Sequence, residues 1–284
     1  MRNKAVLFLS FLILLSCSNE DENKIINPVP PGETILSQLE KNYHQLPEKE
    51  IVISDDGRFY AQYSNPTTEY RHGILGDDME GKQLVVVADS VFNELVLEDD
   101  YVFEDIRPRL VDINGDNRPE IITIRTNKSL GAGIMIYKIV ENRLTEFAYV
   151  KEIGRTYRWL NIVAINDLDN DGIVELVWIE TPHIGGTLKI AKIKSGALQV
   201  IDQKTQFSNH VIGERNLCLS VLTEQNGSKV FYIPTQKRDK IVGFSFIDNQ
   251  LEVFEEISQN VDFSQSLVSQ YAFKEVLEEG NHCN

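Results

Sequence analysis

Two acidic loops carry residue types whose spacing suits metal chemistry. In the segment from Asp167 to Glu175, Asp167, Asp169 and Asp171 take positions 1, 3 and 5, Gly172 position 6 and Glu175 position 9. Carboxylates alternating along a tightly turned loop point inward together. They make a hard oxygen cage suited to Ca2+, and the position-7 carbonyl, on Ile173, adds a ligand. The segment from Asp112 to Glu120 repeats the pattern with Asp112, Asn114, Asp116, the carbonyl of Arg118 and Glu120. Asn117 stands there at the glycine position, which the tolerance of Asn for positive φ allows. An EF-hand needs a bidentate acid at position 12, where these loops have Thr123 and Trp178. The sequence therefore predicts two calcium sites of a strand-loop-strand kind.

Each loop runs into a β-branched, apolar segment, Ile121–Ile124 in one case and Val174–Ile179 in the other. Further short apolar runs and turn residues follow in the same order after each loop, which reads as four antiparallel strands per unit. A third copy without the acids covers 217–254, and a shorter early copy begins at 72–77 and continues through 84–87 and 94–97. The hairpin 51–63 is expected to contribute to a fifth. Units of this size repeated along a chain predict an all-β fold, a β-propeller of four to six four-stranded blades. Apolar residues at helical spacing predict short flanking helices over 35–46 and 267–277. The expected division is a signal peptide (1–16), a polar, Pro-rich tether (17–33), a helix and hairpin (34–63), the repeats (64–258) and a helical tail (259–284).

Strand order gives a second group. The loops opposite the acidic ones bring Arg71, His72, Arg107, Arg158, Trp159, His183 and His210 toward one face, a candidate site for an anionic or saccharide ligand. Two other readings stay open. Each residue can pair locally with acids such as Glu104, Asp105 or Glu214, or the histidines can hold a transition metal.

The acidic loops resemble those of FG-GAP and VCBS repeats, strongly over 106–203 and partly from about 66 to 255. The resemblance implies calcium between the first two strands of propeller blades. The outer copies lack the loop pattern. A Ser-hydrolase elbow, a zincin helix and a phosphate-binding glycine loop are all missing from the sequence.

At the N-terminus, Arg2 and Lys4, an apolar run and Leu14-Leu15-Ser16-Cys17 resemble a bacterial lipoprotein signal, implying acylation at Cys17. The expected location is the outer membrane or cell surface of a Gram-negative bacterium. Cys218 and Cys283 remain, as a disulfide or as separate thiols. The 284 residues hold 28 Lys and Arg against 43 Asp and Glu, a net charge of −15 that argues against nucleic acid and polybasic membrane contact. Together these features suggest a calcium-binding, lipid-anchored surface module for a glycan or protein partner. The alternative is a polysaccharide hydrolase or lyase acting at the face opposite the calcium loops.

Overall fold

In a computed structural model the described residues are 23–26, 33–194, 197–258, 260–270 and 276–277. The fold is all-β, with every strand pairing antiparallel. After β1 (Asn23–Ile26) comes helix α1 (Ile35–Asn42), opened by a capping box in which Thr34 and Ser37 bond each other's backbone amides. Strands β2 (Val52–Ile53), β3 (Phe59–Thr67), β4 (Glu80–Ala88) and β5 (Val91–Val96) pair in sequence, with β1 on the free edge of β5. A short β6 (Tyr101–Phe103) meets β4 at Gly81 and also pairs with β8. The second unit is β7 (Arg109–Val111), β8 (Glu120–Asn127), β9 (Gly131–Val140) and β10 (Arg143–Val150). Through β6 it joins the first in one ten-stranded sheet. Two four-stranded sheets follow: β11 (Leu160–Asn166), β12 (Glu175–Glu180), β13 (Thr187–Lys194) and β14 (Ala197–Thr205), then β15 (Val221–Gln225), β16 (Ser228–Pro234), β17 (Ile241–Ile247) and β18 (Gln250–Ile257). A short α2 (Leu267–Gln270) ends the regular structure.

Tight two-residue turns hold the hairpins. Asp89–Ser90, Glu141–Asn142, Asn226–Gly227 and Asp248–Asn249 all take positive φ at both positions, the turn sense that matches strand twist. The apolar cores lie in series. One, with Leu84, Phe103 and Tyr137, joins the first two units; one, with Ile122, Ile136 and Trp178, joins the second and third; one, with Val177, Phe231 and Phe244, joins the third and fourth. Leu39 of α1 packs on Val85, Val87 and Phe92, and Val261, Phe263 and Leu267 pack on Val221, Val230 and Tyr232.

Four expectations change. The segment 72–77 is turn and loop, because Gly73 and Gly76 take positive φ and break any extended run. The hairpin 51–63 supplies strands to the first unit rather than a further one, since β3 pairs along the length of β4. Residues 23–26 of the expected tether form β1. The expected C-terminal helix is a strand contact beyond α2: Val276 bridges Thr223, and the Leu277 amide donates to the Leu222 carbonyl, 2.9 Å. An apolar pair led by the β-branched Val276 gains more by extending along β15 than by helical spacing. Cys17 and Cys283 lie outside the described residues.

Candidate functional site

The two acidic loops have nearly the same backbone. Glu120 and Glu175 sit at the start of β8 and β12, buried, and each accepts from a loop amide: Ile113 N at 2.8 Å and Leu168 N at 2.7 Å. Asp112 and Asp167 accept from the amides of Asp116 and Asn117, and of Asp171 and Gly172. Asn117 and Gly172 both take positive φ, as do Gly115 and Asn170 two residues earlier. Burial pushes both Glu carboxyls up, to about 7.

The centres of the loops differ. Register places Lys192 opposite Glu175, and its ammonium lies 2.8 Å from Asp169, 2.6 Å from Asp171 and 3.1 Å from Glu175. Burial works against the charge of Lys192, but the three carboxylates outweigh it and hold its pKa up. In the first loop, Asn114 Nδ2 donates to Glu120 at 2.5 Å, while Lys138 lies 4.5 Å from the centroid of the Phe147 ring. Asp167, Asp169 and Glu175 do bring carboxylate oxygens within 4.8 Å of one another. A metal ion there would have to displace the ammonium. The side chain of Arg118 bonds Asp89 and that of Ile173 is exposed.

The opposite ends of the strands gather a different set. The His72 Nδ1 bonds Glu104, whose second oxygen accepts from Thr126 Oγ1 at 2.8 Å. Tyr70 and Tyr157 flank His72, with ring centroids 5.6 and 5.2 Å away, and the Tyr157 amide donates to Tyr70 Oη at 2.8 Å. Trp159 Nε1 donates to the Glu104 carbonyl at 2.9 Å. Its ring is nearly parallel to that of His183, at 6.2 Å and 7°, and tilted against His210, at 4.7 Å.

Burial governs the charges here. It pushes Glu104 up against the pull of His72, and it pushes Glu80 well up with help from the charge of Glu104. Asp105 is also raised by burial and paired with buried Arg109, whose Nε and Nη2 have no partner among the described residues. His210 falls to about 4 through burial, and His183 to about 3 through burial and then the charges of His210 and His72.

Of the residues expected on this face, the structure brings His72, Trp159, His183 and His210 together. Arg71 bonds the Thr68 carbonyl, Arg158 bonds the Tyr157 carbonyl, and Arg107 lies 3.9 Å from Glu50. Trp159 is buried rather than presented. Pairing with local acids holds for His72 with Glu104. Cys218 is half-buried, its amide accepted by the Asn216 side chain. Lys192, Glu80 and Arg109 are missed by spacing alone. The β12–β13 register sets Lys192 against Glu175, a signal the hairpin could have given.

No protein-family model matches the chain, and no curated protein does. It is similar to a provisionally named 6-phosphogluconolactonase from Bacteroides uniformis, at 15% identity and TM-score 0.40, over 73% of this chain and 56% of that one. A protein from Lactobacillus plantarum gives 11% and 0.39 over 73% and 56%, and a provisionally named 6-phosphogluconolactonase from Bacteroides fragilis gives 11% and 0.33 over 74% and 84%. The chain spans about half the length of the first two structures.

With no family model matching, the FG-GAP and VCBS membership that the loops suggested is not upheld. The calcium-binding, lipid-anchored binding module falls with it. Both carboxylate oxygens of Asp112 and of Asp167 are taken by backbone amides of the same turn, which any acidic strand-to-strand turn can do. Among the described residues no helix is long and apolar enough to cross a membrane.

Proposed function

We propose that this chain is an enzyme acting on a small molecule, with His72 as its general base for water attack on a carboxylic ester or lactone. The observation that carries the reading is the bond from His72 Nδ1 to the fully buried carboxylate of Glu104. Burial pushes the Glu104 carboxyl up, while His72 and the Thr126 hydroxyl favour its ionised form; in that form Nδ1 of a neutral His72 donates to it and Nε2 keeps a lone pair. Nε2 would take a proton from water as the oxygen attacks the carbonyl carbon, and Glu104 would balance the imidazolium that results. Burial and then the charge of Glu104 push the Glu80 carboxyl well up, which favours its protonated form. Tyr70 and Tyr157 fix the imidazole and leave it partly exposed, at 14% of the side chain.

We also read the four strand units as blades of a propeller-like arc. The serial cores support this, with α1 and the segment 261–267 covering the two outermost sheet faces.

A panel of small aryl esters and lactones tests the activity. His72→Gln and Glu104→Gln should each lower kcat/KM by about a hundredfold or more. His72→Gln should leave the unfolding midpoint nearly unchanged. Full turnover in His72→Gln, or none by the wild type across the panel, would refute the assignment.

A further inference from the structure

Buried His210 and half-buried His183 fix each other's protons. Nε2 of His210 lies 2.8 Å from the Glu214 carbonyl oxygen, which can only accept, so Nε2 carries the hydrogen. In a neutral ring that leaves Nδ1 of His210 as the acceptor. Nε2 of His183 lies 3.0 Å from that Nδ1 and must therefore donate to it. The outcome is a bare lone pair on Nδ1 of His183, which has no partner among the described residues.

We propose that His183 Nδ1 is a fixed hydrogen-bond acceptor that selects substrates presenting an O–H or N–H donor beside the Trp159 ring; this rests on the small-molecule reading above. Position supports it. His183 stacks along Trp159, and Trp159 is tied through Nε1 to the backbone of Glu104, the partner of His72. The donor-reading group and the base thus share one support. Burial favours neutral rings at both positions; a proton on Nδ1 of His183 would remove the acceptor, and one on Nδ1 of His210 would reverse the bond between the rings. A site built around a fixed acceptor discriminates against ligands that offer it only another lone pair.

Phenol and anisole are suitable probes, because they share a ring and differ in the O–H donor. Nitrogen-15 spectra of the full chain at neutral pH should show both His183 and His210 as Nε2–H tautomers. Phenol should move the His183 Nδ1 resonance and bind about fivefold tighter than anisole, the worth of one hydrogen bond. In His183→Phe that preference should vanish. In His183→Asn, whose amide oxygen can stand near the Nδ1 position, it should return in part. An Nδ1–H tautomer at His183, equal affinity of the wild type for the two probes, or binding of neither would overturn the proposal. Failure of the base assignment would show separately, as ester or lactone turnover that survives His72→Gln while the phenol preference remains.

Discussion

The two ends of the sheets satisfy their charges in opposite ways. At the acidic loops most partners are a few residues away: Asp112 and Asp167 are held by amides within five positions, and Asp116 and Asp171 by the amides of Arg118 and Ile173. At the other end the partners are distant in sequence. His72 meets Glu104, Trp159 meets the Glu104 backbone, Tyr157 meets Tyr70, and Arg215 meets Asp77 across 138 positions. Local satisfaction leaves loop carboxylates partly exposed. Assembly of several sheets instead buries imidazoles and carboxyls together and moves their proton affinities, as burial also does for Glu120 and Glu175 at the acidic end. Lys192 is the exception at the acidic end, since it arrives from the next strand to fill the second loop.

The largest expected effect removes that exception. Lys192→Met leaves the fully buried Glu175 and two aspartates without their ammonium, a change that typically costs about 3–5 kcal/mol. Lys138→Met, at the matching place in the first loop, gives up only a ring contact and should cost about 1 kcal/mol or less. Urea unfolding of the two variants measures the contrast. The Lys192→Met loss should shrink as pH falls, because a proton on Glu175 can stand in for the ammonium. Adding calcium to that variant asks whether the vacated cage accepts a metal. Equal costs for the two lysines would mean that the loops do not differ as described.

Legibility in the sequence follows the same division. Asp112 to Glu120 and Asp167 to Glu175 could be read as turned loops between strands because their bonds close within the segment. The strand order that places His72, Trp159, His183 and His210 at one end was legible too, since alternating hairpins fix which loops share a face. What Asp-rich spacing could not reveal is the occupant of the loop. Lys192 sits in a strand whose lysines look alike, and only the register against Glu175, with a bulge at Ile190 and Ala191, sets it inward. Glu80 was equally hidden, and so was the burial of Glu104, because an acid at a strand end becomes a buried group only when another unit covers it.

Acid titration separates the ends by pH. The folded-state pKa of His210 is depressed to about 4 from 6.5, so its contribution is full above pH 6.5 and is lost as pH falls through 4. The loss amounts to about 3 kcal/mol when complete, at 1.36 kcal/mol per unit. Asp171, lowered from 3.8 first by Lys192, gives up its contribution only below that value. His183 loses stability over the same range and Glu120 and Glu175 gain it, so the test is the difference in denaturant midpoint between wild type and His210→Gln. That difference should shrink as pH falls from 6.5 to 4 and stay constant below, and a difference independent of pH would assign the early loss to other groups.

The smallest effect compares the loops at one backbone position. Gly172 and Asn117 occupy the same place, with φ of 84° and 61°. A Cβ added at Gly172 would meet nothing within 4 Å, so substitution there reports backbone conformation alone. Gly172→Ala should cost about 1 kcal/mol, the penalty for an ordinary residue in the left-handed region. Gly172→Asn should cost less, because the short amide side chain tolerates that region and the first loop already uses Asn there. Asn117→Gly should be close to neutral and Asn117→Ala should resemble Gly172→Ala. If Gly172→Asn were as harmful as Gly172→Ala, the equivalence of the two turns would fail at the position that closes both, and the contrast at Lys192 would have to be traced to backbone shape rather than to the lysine.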